Sequence, residues 1–254
     1  MKIAILCDTH CGIRNSSEVF LDNAEDFYTN IFFPECKKRE IKQILHLGDY
    51  YDHRKFVNFK ALNQNRRVFL DQLRKNKMIM DIIPGNHDTY YKNTNELNAL
   101  KECLGHYMNE VHIIMEPTVM QYGSLSMGLL PWMCSDNFDQ SMNFIKECKA
   151  DWLGAHLELR DFEMMRGLKN THGMDPKLFQ KFEQVLSGHY HTASKRDNIW
   201  YLGNPMEFFW SDAHDPKYFH VLDTETRQIE KVRNTYTLFE KIVYNDKEVC
   251  YNNY

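Results

Sequence analysis

The sequence predicts an α/β protein in which two sheets lie between layers of helix. Three observations carry that expectation. Short apolar runs alternate with helical periodicity as far as about residue 104, closely spaced runs without intervening helix follow at 111–130, and the alternation then resumes. "KIAILC" (2–7) is short, apolar and closed by polar residues, the pattern of a buried strand. Asn15 and Glu18, three positions apart, match a capping box, and Phe20, Ala24, Phe27 and Ile31 then recur at helical spacing. "QILHLG" (43–48) is the next strand; a helix over 60–76 places Ala61, Val68, Phe69 and Leu73 on one side. "KMIMDII" (77–83) is the third strand, followed by a helix near 95–104. "VHIIME", "TVMQY" and "SLSMGLL" read as strands, and a helix near 137–149 leads into "DWLGAH" (151–156). Asp175 and Pro176 suit the N-cap and first turn of a short helix, and "EQVLSG", "NIWYLG" and "YFHVLD" are the last strands.

No repeat, low-complexity tract or linker divides the 254 residues, which suffice to bury a full core. The 31 Lys and Arg against 35 Asp and Glu give a formal charge of −4. That balance argues against a histone-like binder of polyanions but leaves room for a local basic groove. The seven cysteines are scattered, odd in number and contain no C-x-x-C pair. They make a disulfide framework or zinc knuckle unexpected, and reduced thiols in the cytosol fit better. The apolar run before Asp8 is too short for a signal-peptide core, and no stretch approaches the ~20 residues of a membrane span. The expectation is a cytoplasmic protein with no membrane part.

Lining up the strand ends exposes the chemistry. "AILCDTH" delivers Asp8 and His10; "ILHLGDYYDHR" delivers Asp49, Asp52 and His53; "IIPGNHD" delivers Asn86, His87 and Asp88; "WLGAH" delivers His156; "VLSGHYH" delivers His189 and His191. Loops beyond the carboxyl ends of strands converge in open sheets, so these groups can meet. Each piece alone is weak, since D-x-H is a short pattern and Pro, Gly, Asn and Asp are ordinary turn residues. Five together are not explained as turns, because such groups are costly to bury unpaired. Carboxylate, imidazole and amide ligands without thiolate suit Mn²⁺, Fe²⁺ or Zn²⁺, and the ligand number favours two ions over one. His46, His106, His112, His172, His214 and His220 take the ordinary reading of structural or surface histidines, and "SDAHD" (211–215), next to Pro216, that of a surface turn.

The ordered set D-x-H, G-D-x-x-D, G-N-H-D, G-x-H and G-H-x-H resembles the calcineurin-like metallophosphoesterase superfamily. Within it the chain is most similar to the nuclease subunits of double-strand-break repair complexes, SbcD in bacteria and the recombination endonuclease subunit of T-even-like phages. The resemblance implies a four-layer α/β/β/α metallophosphoesterase sandwich of two mixed sheets flanked by helices. It implies two divalent ions, usually Mn²⁺: one held by Asp8, His10, Asp49 and His191, the other by Asp49, Asn86, His156 and His189. His87 would act on the leaving alcohol oxygen, with Asp88 orienting it or serving only the turn. Some members carry a histidine where this sequence has Asp52, and His53 follows one position later. The implied activity is a 3′→5′ exonuclease and endonuclease on DNA in repair, recombination and replication. A homodimer and an SbcC-like ABC-type ATPase partner follow, in the host cytoplasm if the gene is a phage's.

Residues 1–235 are expected to form the nuclease domain, with 236–254 the start of a short or truncated capping segment. Arg54, Lys55, Tyr90, Tyr91, Arg160, Lys195 and Arg196 follow the ligand loops and are candidate DNA contacts together with His53, each also readable as a solvated loop residue. Two rival functions stand beside the nuclease. One keeps the metals but acts on phosphoproteins or small diesters, although the G-D-x-x-D-R-G and G-N-H-E patterns of protein phosphatases are absent. The other is a scaffold that has lost its site, which the intact ligand set disfavours.

Overall fold

The computed structural model describes residues 1–165 and 167–242. Its strands are β1 (Lys2–Leu6), β2 (Gln43–His46), β3 (Ile79–Ile82), β4 (Val111–Ile113), β5 (Thr118–Tyr122), β6 (Leu125–Leu130) and β7 (Trp152–His156). There follow β8 (Glu163–Met165), β9 (Leu168–Lys169), β10 (Gln184–Gly188), β11 (Ser194–Arg196), β12 (Ile199–Tyr201), β13 (Lys217–Asp223) and β14 (Gln228–Asn234). One sheet has the order β14-β13-β1-β2-β3-β4 and the other β11-β12-β10-β7-β6-β5, with β8 and β9 a separate hairpin. In the first, β1 to β4 run parallel, β13 pairs antiparallel with β1, and β14 pairs antiparallel with β13. In the second, β6, β7, β10 and β12 run parallel, with β5 and β11 antiparallel at the edges.

Strand alternation decides which neighbour each side chain meets. Ile3 and Ile5 of β1 join Leu45, Met127, Leu129, Leu186 and Leu222 in an apolar layer between the sheets. Ala4 and Leu6 face the other way, against Phe27, Phe32, Phe69 and Leu73 of two helical runs. Those runs are Glu18–Asp26, Phe27–Phe32 and Phe33–Lys38, and Phe59–Asn65, Arg66–Leu70 and Asp71–Asn76, the middle segment of each wound as π-helix. Tyr28 and Phe69, one from each π-segment, meet with ring centroids 4.8 Å apart. On the far side, Leu153, Ala155, Val185 and Tyr201 pack against Ile145 of the helix Phe138–Glu147 and against Phe179. Helix, sheet, sheet and helix make the four layers expected.

Local expectations fail in instructive places. Asn15 and Glu18 form no capping box: Arg14, Asn15 and Ser16 have φ of 54–59°, and the helix starts after Ser17 without a side-chain cap. The helix expected from residue 95 begins at Ala99, because the Asn98 side chain accepts the Lys101 N–H while Asn95 donates to the Trp132 carbonyl. The Asp175 carboxylate does cap Pro176–Phe179, as a 3₁₀ turn. The edge strands β11 and β14 and the β8–β9 hairpin were not expected; their charged sequences form strands through pairing with a neighbour rather than through an apolar run. Residues 235–242 carry no regular structure, and Leu238 and Phe239 donate their N–H groups to the buried Glu207 carboxylate. The remaining residues of the expected cap start, 243–254, lie outside those described.

Candidate active site

The carboxyl ends of β1, β2, β3, β7 and β10 come together where the two sheets abut, and the loops that leave them are cross-tied. Asp8 donates its N–H to the Gly48 carbonyl (2.9 Å), His10 to the Asp49 carbonyl (3.1 Å), and His189 to the Asp8 carboxylate (2.9 Å). Asp8, His10, Asp49 and His189 all have left-handed backbones, with φ of 51, 44, 54 and 91°. Such conformations cost non-glycine residues of order 1–3 kcal/mol and persist where the surroundings leave no alternative. Gly85 shows how tight those surroundings are: a Cβ there would lie 2.2 Å from Asp49 Oδ1 and 2.4 Å from its backbone nitrogen.

Three sets of side chains have ligand atoms all within 4.8 Å of one another: Asp8, His10 and His191; His10, Asp49 and His87; and Asp49, His156 and His189. Asp49 belongs to two of them. Its Oδ1 accepts the His87 N–H (2.7 Å), while Oδ2 lies 3.3 Å from His156 Nε2 and 3.8 Å from His10 Nε2. The Asn86 amide oxygen is 3.1 Å from His156 Nε2 and 2.9 Å from His189 Nδ1, which places it in the third set. His10 and His191 bring their Nε2 atoms to 3.0 Å, and His191 Nε2 is 4.0 Å from Asp8 Oδ1. His156 Nδ1 is fixed by the Leu47 carbonyl at 2.8 Å. Because a carbonyl only accepts, Nδ1 carries the hydrogen and Nε2 is turned into the cluster.

Burial and charge divide the protons unevenly. Burial works against ionising Asp49, but His156, His10 and His87 hold its carboxyl well below the usual range. Burial likewise opposes charge on His156, yet Asp49 and Asp8 lift it to about 9. Burial, then His156, pushes His189 down to about 3, and burial, then His10, drives His191 well below the ordinary value. Those two rings are thus neutral, the form that coordinates metal.

His87 and Asp88 part company. Asp88 is fully buried and accepts the N–H groups of Tyr51 (2.9 Å), Gly85 (2.9 Å) and Tyr50 (3.3 Å), clamping the loop after β2 onto the turn after β3. Burial and then Asp49 push its carboxyl up to about 7. The group at His87 Nδ1 is the Asp52 carbonyl, 2.6 Å away; of the two roles expected for Asp88, orienting His87 or serving the turn, its contacts are those of the turn. The Asp52 carboxylate lies 3.2 Å from His10 Nδ1. His53 stays outside the cluster, its ring stacked on Phe56 at 3.7 Å. Arg54, Lys55 and Tyr90 line a neighbouring pocket, and Tyr91 packs edge-on against Tyr90. The Arg160 guanidinium pairs with Asp175; Lys195 lies over Trp200 and Arg196 over Phe162.

Comparison with known proteins decides the family. The calcineurin-like phosphoesterase profile matches residues 1–193. The chain is 32% identical over 244 residues to exonuclease subunit 1 of Enterobacteria phage T4, covering 96% of this chain and 71% of that protein. This chain is a calcineurin-like phosphoesterase. Solved structures repeat the fold at low identity. GAP50, the anchor in the inner membrane complex of Plasmodium, superposes with a TM-score of 0.52 at 12% identity, over 94% of this chain and 91% of its own. A protein of Thermus thermophilus gives a TM-score of 0.50 at 10% identity, over 91% of this chain and 98% of its own.

The phosphoesterase's residues fit the divalent ions of its family. Two carboxylates with 0 and 2% exposure sit among imidazoles, and the ring nitrogens of His10 and His191 face each other, an arrangement that cations would satisfy. Other residues shape the site without having been anticipated. Trp132 packs edge-on to His156, and Phe208 to His10 and His191. "SDAHD" does turn, with Ser211 and His214 exposed, but its Asp212 is buried, accepts the N–H groups of Phe208 and Phe209, and pairs with buried Lys217. Lys217 in turn reaches the His191 carbonyl (3.4 Å) and Asn204. A strand end at Leu130 followed by Pro131 and Trp132 was a visible signal; the Lys217 hub had none, since its partners are dispersed in sequence. Among the described residues no helix is long and apolar enough to cross a membrane, and the six described cysteines are unpaired.

Proposed function

We propose that the chain is a metal-dependent DNA nuclease, acting as a 3′→5′ exonuclease and endonuclease in repair and recombination. The observation that carries DNA over other phosphate esters is the likeness, over 96% of this chain and 71% of the relative, to the phage exonuclease subunit. Asp8, His10, Asp49 and His191 would hold one divalent ion, and Asp49, Asn86, His156 and His189 a second, with Asp49 shared; Mn²⁺ is the ion we assign. When bound, such a pair polarises phosphoryl oxygens and activates the attacking water. His87 Nδ1 faces the Asp52 carbonyl, which turns Nε2 to the site; as the imidazolium, with a proton on each nitrogen, His87 would give its Nε2 proton to the departing sugar oxygen and be left neutral with its remaining proton on Nδ1. Asp88 serves this chemistry indirectly, by fixing the turn that carries Asn86 and His87.

The relative's designation as a subunit supports a partner, which we assign as an SbcC-like ABC-type ATPase acting with a homodimer of this chain. Host cytoplasm is the corresponding location, with 1–235 the nuclease domain and 236–254 the beginning of a cap. Manganese-loaded protein should degrade end-labelled DNA and stop on chelation, while leaving a phosphopeptide and a cyclic nucleotide intact. Turnover of the latter two alone would assign a different phosphoesterase, and failure to bind any transition ion would favour a scaffold.

A further inference from the structure

Between β12 and β13 the chain crosses the His10–His191 side of the site as a strap, and two of its rings lie against those histidines. Phe208 packs edge-on to His10 and His191, with ring centroids 5.6 and 5.9 Å away, and Phe209 stacks on His191 at 5.8 Å. The strap has little regular structure beyond the 3₁₀ turn Trp210–Asp212, so its course is set by what holds it from behind. That support is one ammonium group. Lys217 is 4% exposed, and its Nζ donates to Asn204 Oδ1 (2.8 Å), Asp215 Oδ2 (2.9 Å), Asp212 Oδ1 (3.0 Å) and the His191 carbonyl (3.4 Å). Asp212 uses its other oxygen to accept the N–H groups of Phe208 (2.7 Å) and Phe209 (2.9 Å). The Asn204 N–H donates to the same His191 carbonyl (3.3 Å), and a Cβ on Gly203, at φ 76°, would lie 2.9 Å from that oxygen. A single buried cation therefore ties both ends of the strap to the His191 backbone and, through Asp212, fixes the two rings.

A buried ion pair adds little net stability, because desolvation offsets its attraction. Its directional bonds are suited to holding a shape, and imidazoles that coordinate metal depend on outer groups to orient them. The support is one-sided. The histidines assigned to the second ion are backed by other groups: Trp132 lies against His156 and His189, and the Leu47 carbonyl fixes His156 Nδ1. Among the described residues, the strap's ring contacts to candidate ligands fall on His10 and His191 alone. We propose that Lys217, acting through Asp212 and the strap, is a positioning residue for the first ion and not for the second. Its ammonium sets the strap, the strap sets the His10 and His191 rings, and the affinity of that side of the site follows. This rests on the two-ion nuclease reading and adds that the two ions are tuned by separate parts of the fold.

Calorimetric titration with Mn²⁺ tests this without relying on turnover. Lys217→Met removes the charge at nearly constant length. Lys217→Met/Asp212→Asn also neutralises Asp212 while keeping an amide oxygen for the Phe208 and Phe209 N–H groups, and it decides the matter if the single variant does not fold. The unsubstituted protein should bind two ions per chain. In the variants one ion should keep its affinity and the other should bind about 10- to 100-fold more weakly. On labelled DNA the variants should be slow at limiting Mn²⁺ and recover as Mn²⁺ is raised. In a His191→Ala background, which removes a ligand of the first ion, adding Lys217→Met should leave the remaining ion's affinity where it was. A further loss there, an equal loss at both ions, or no loss at either would overturn the assignment. Two bound ions without any cutting of DNA would sink the nuclease reading and leave the difference between the ions to decide the role of Lys217. Fewer than two ions in the unsubstituted protein would sink both.

Discussion

Asp49 and Asp88 are both buried carboxylates near one loop, yet their surroundings give them different work. Asp49 faces imidazoles and is held ionised; Asp88 faces three backbone N–H groups and serves as a clamp. The sequence showed that both were carboxylates after strand ends but not which way each would turn, because that depends on χ angles set by neighbours tens of residues away. His87 poses the sharpest question at this scale, since it also falls within ligand distance of His10 and Asp49. On the proposed mechanism, His87→Ala should keep its metal and lose about 10²- to 10⁴-fold in kcat on labelled DNA. Elemental analysis alongside single-turnover rates checks this; loss of an ion would make His87 a ligand rather than an acid.

At the level of elements, the site is made by how strands stop. Each of β1, β2, β3, β7 and β10 ends within a few residues of a candidate ligand, and glycines allow the loops to touch. Gly85→Ala adds one carbon where the Asp49 carboxylate and backbone already stand. Displacing Asp49 by even about 1 Å should cost around 100-fold in activity and weaken metal binding, measurable by calorimetric titration with Mn²⁺. A variant with normal affinity and rate would show that the loop absorbs the methyl group. Apolar strands and their polar ends were legible because burial writes them into the sequence. The edge strands β11 and β14 were not, since backbone pairing leaves no such mark.

Across the whole molecule, the two sheets are joined by a largely apolar layer, interrupted where β13 meets β12. There His220 is 1% exposed, packs edge-on to Trp200, and leaves Nε2 without a partner. Burial first, and Lys231 second, push its pKa down to about 3, below the ~6.5 of an unfolded chain. The unfolded state therefore binds more protons between these values. The stability His220 permits is complete above about pH 6.5 and is lost as pH falls toward 3. His220→Leu should flatten the acid side of the stability profile by up to about 1.4 kcal/mol per pH unit. Urea unfolding at about pH 7, 6 and 5 would read this, and parallel slopes for both proteins would contradict it.

The sequence by itself determined the α/β class, the main apolar strands and the chemical types gathered at their ends, because apolar periodicity and ligand identity are local properties of the chain. The tertiary structure decided which of those groups meet, that the Asp52 carbonyl holds His87, that Asp212 is buried with Lys217, and that Phe56, Phe59 and Tyr90 share one pocket. Those outcomes depend on the packing of one sheet against the other and on left-handed turns held in place by distant neighbours, and no short stretch of residues encodes them.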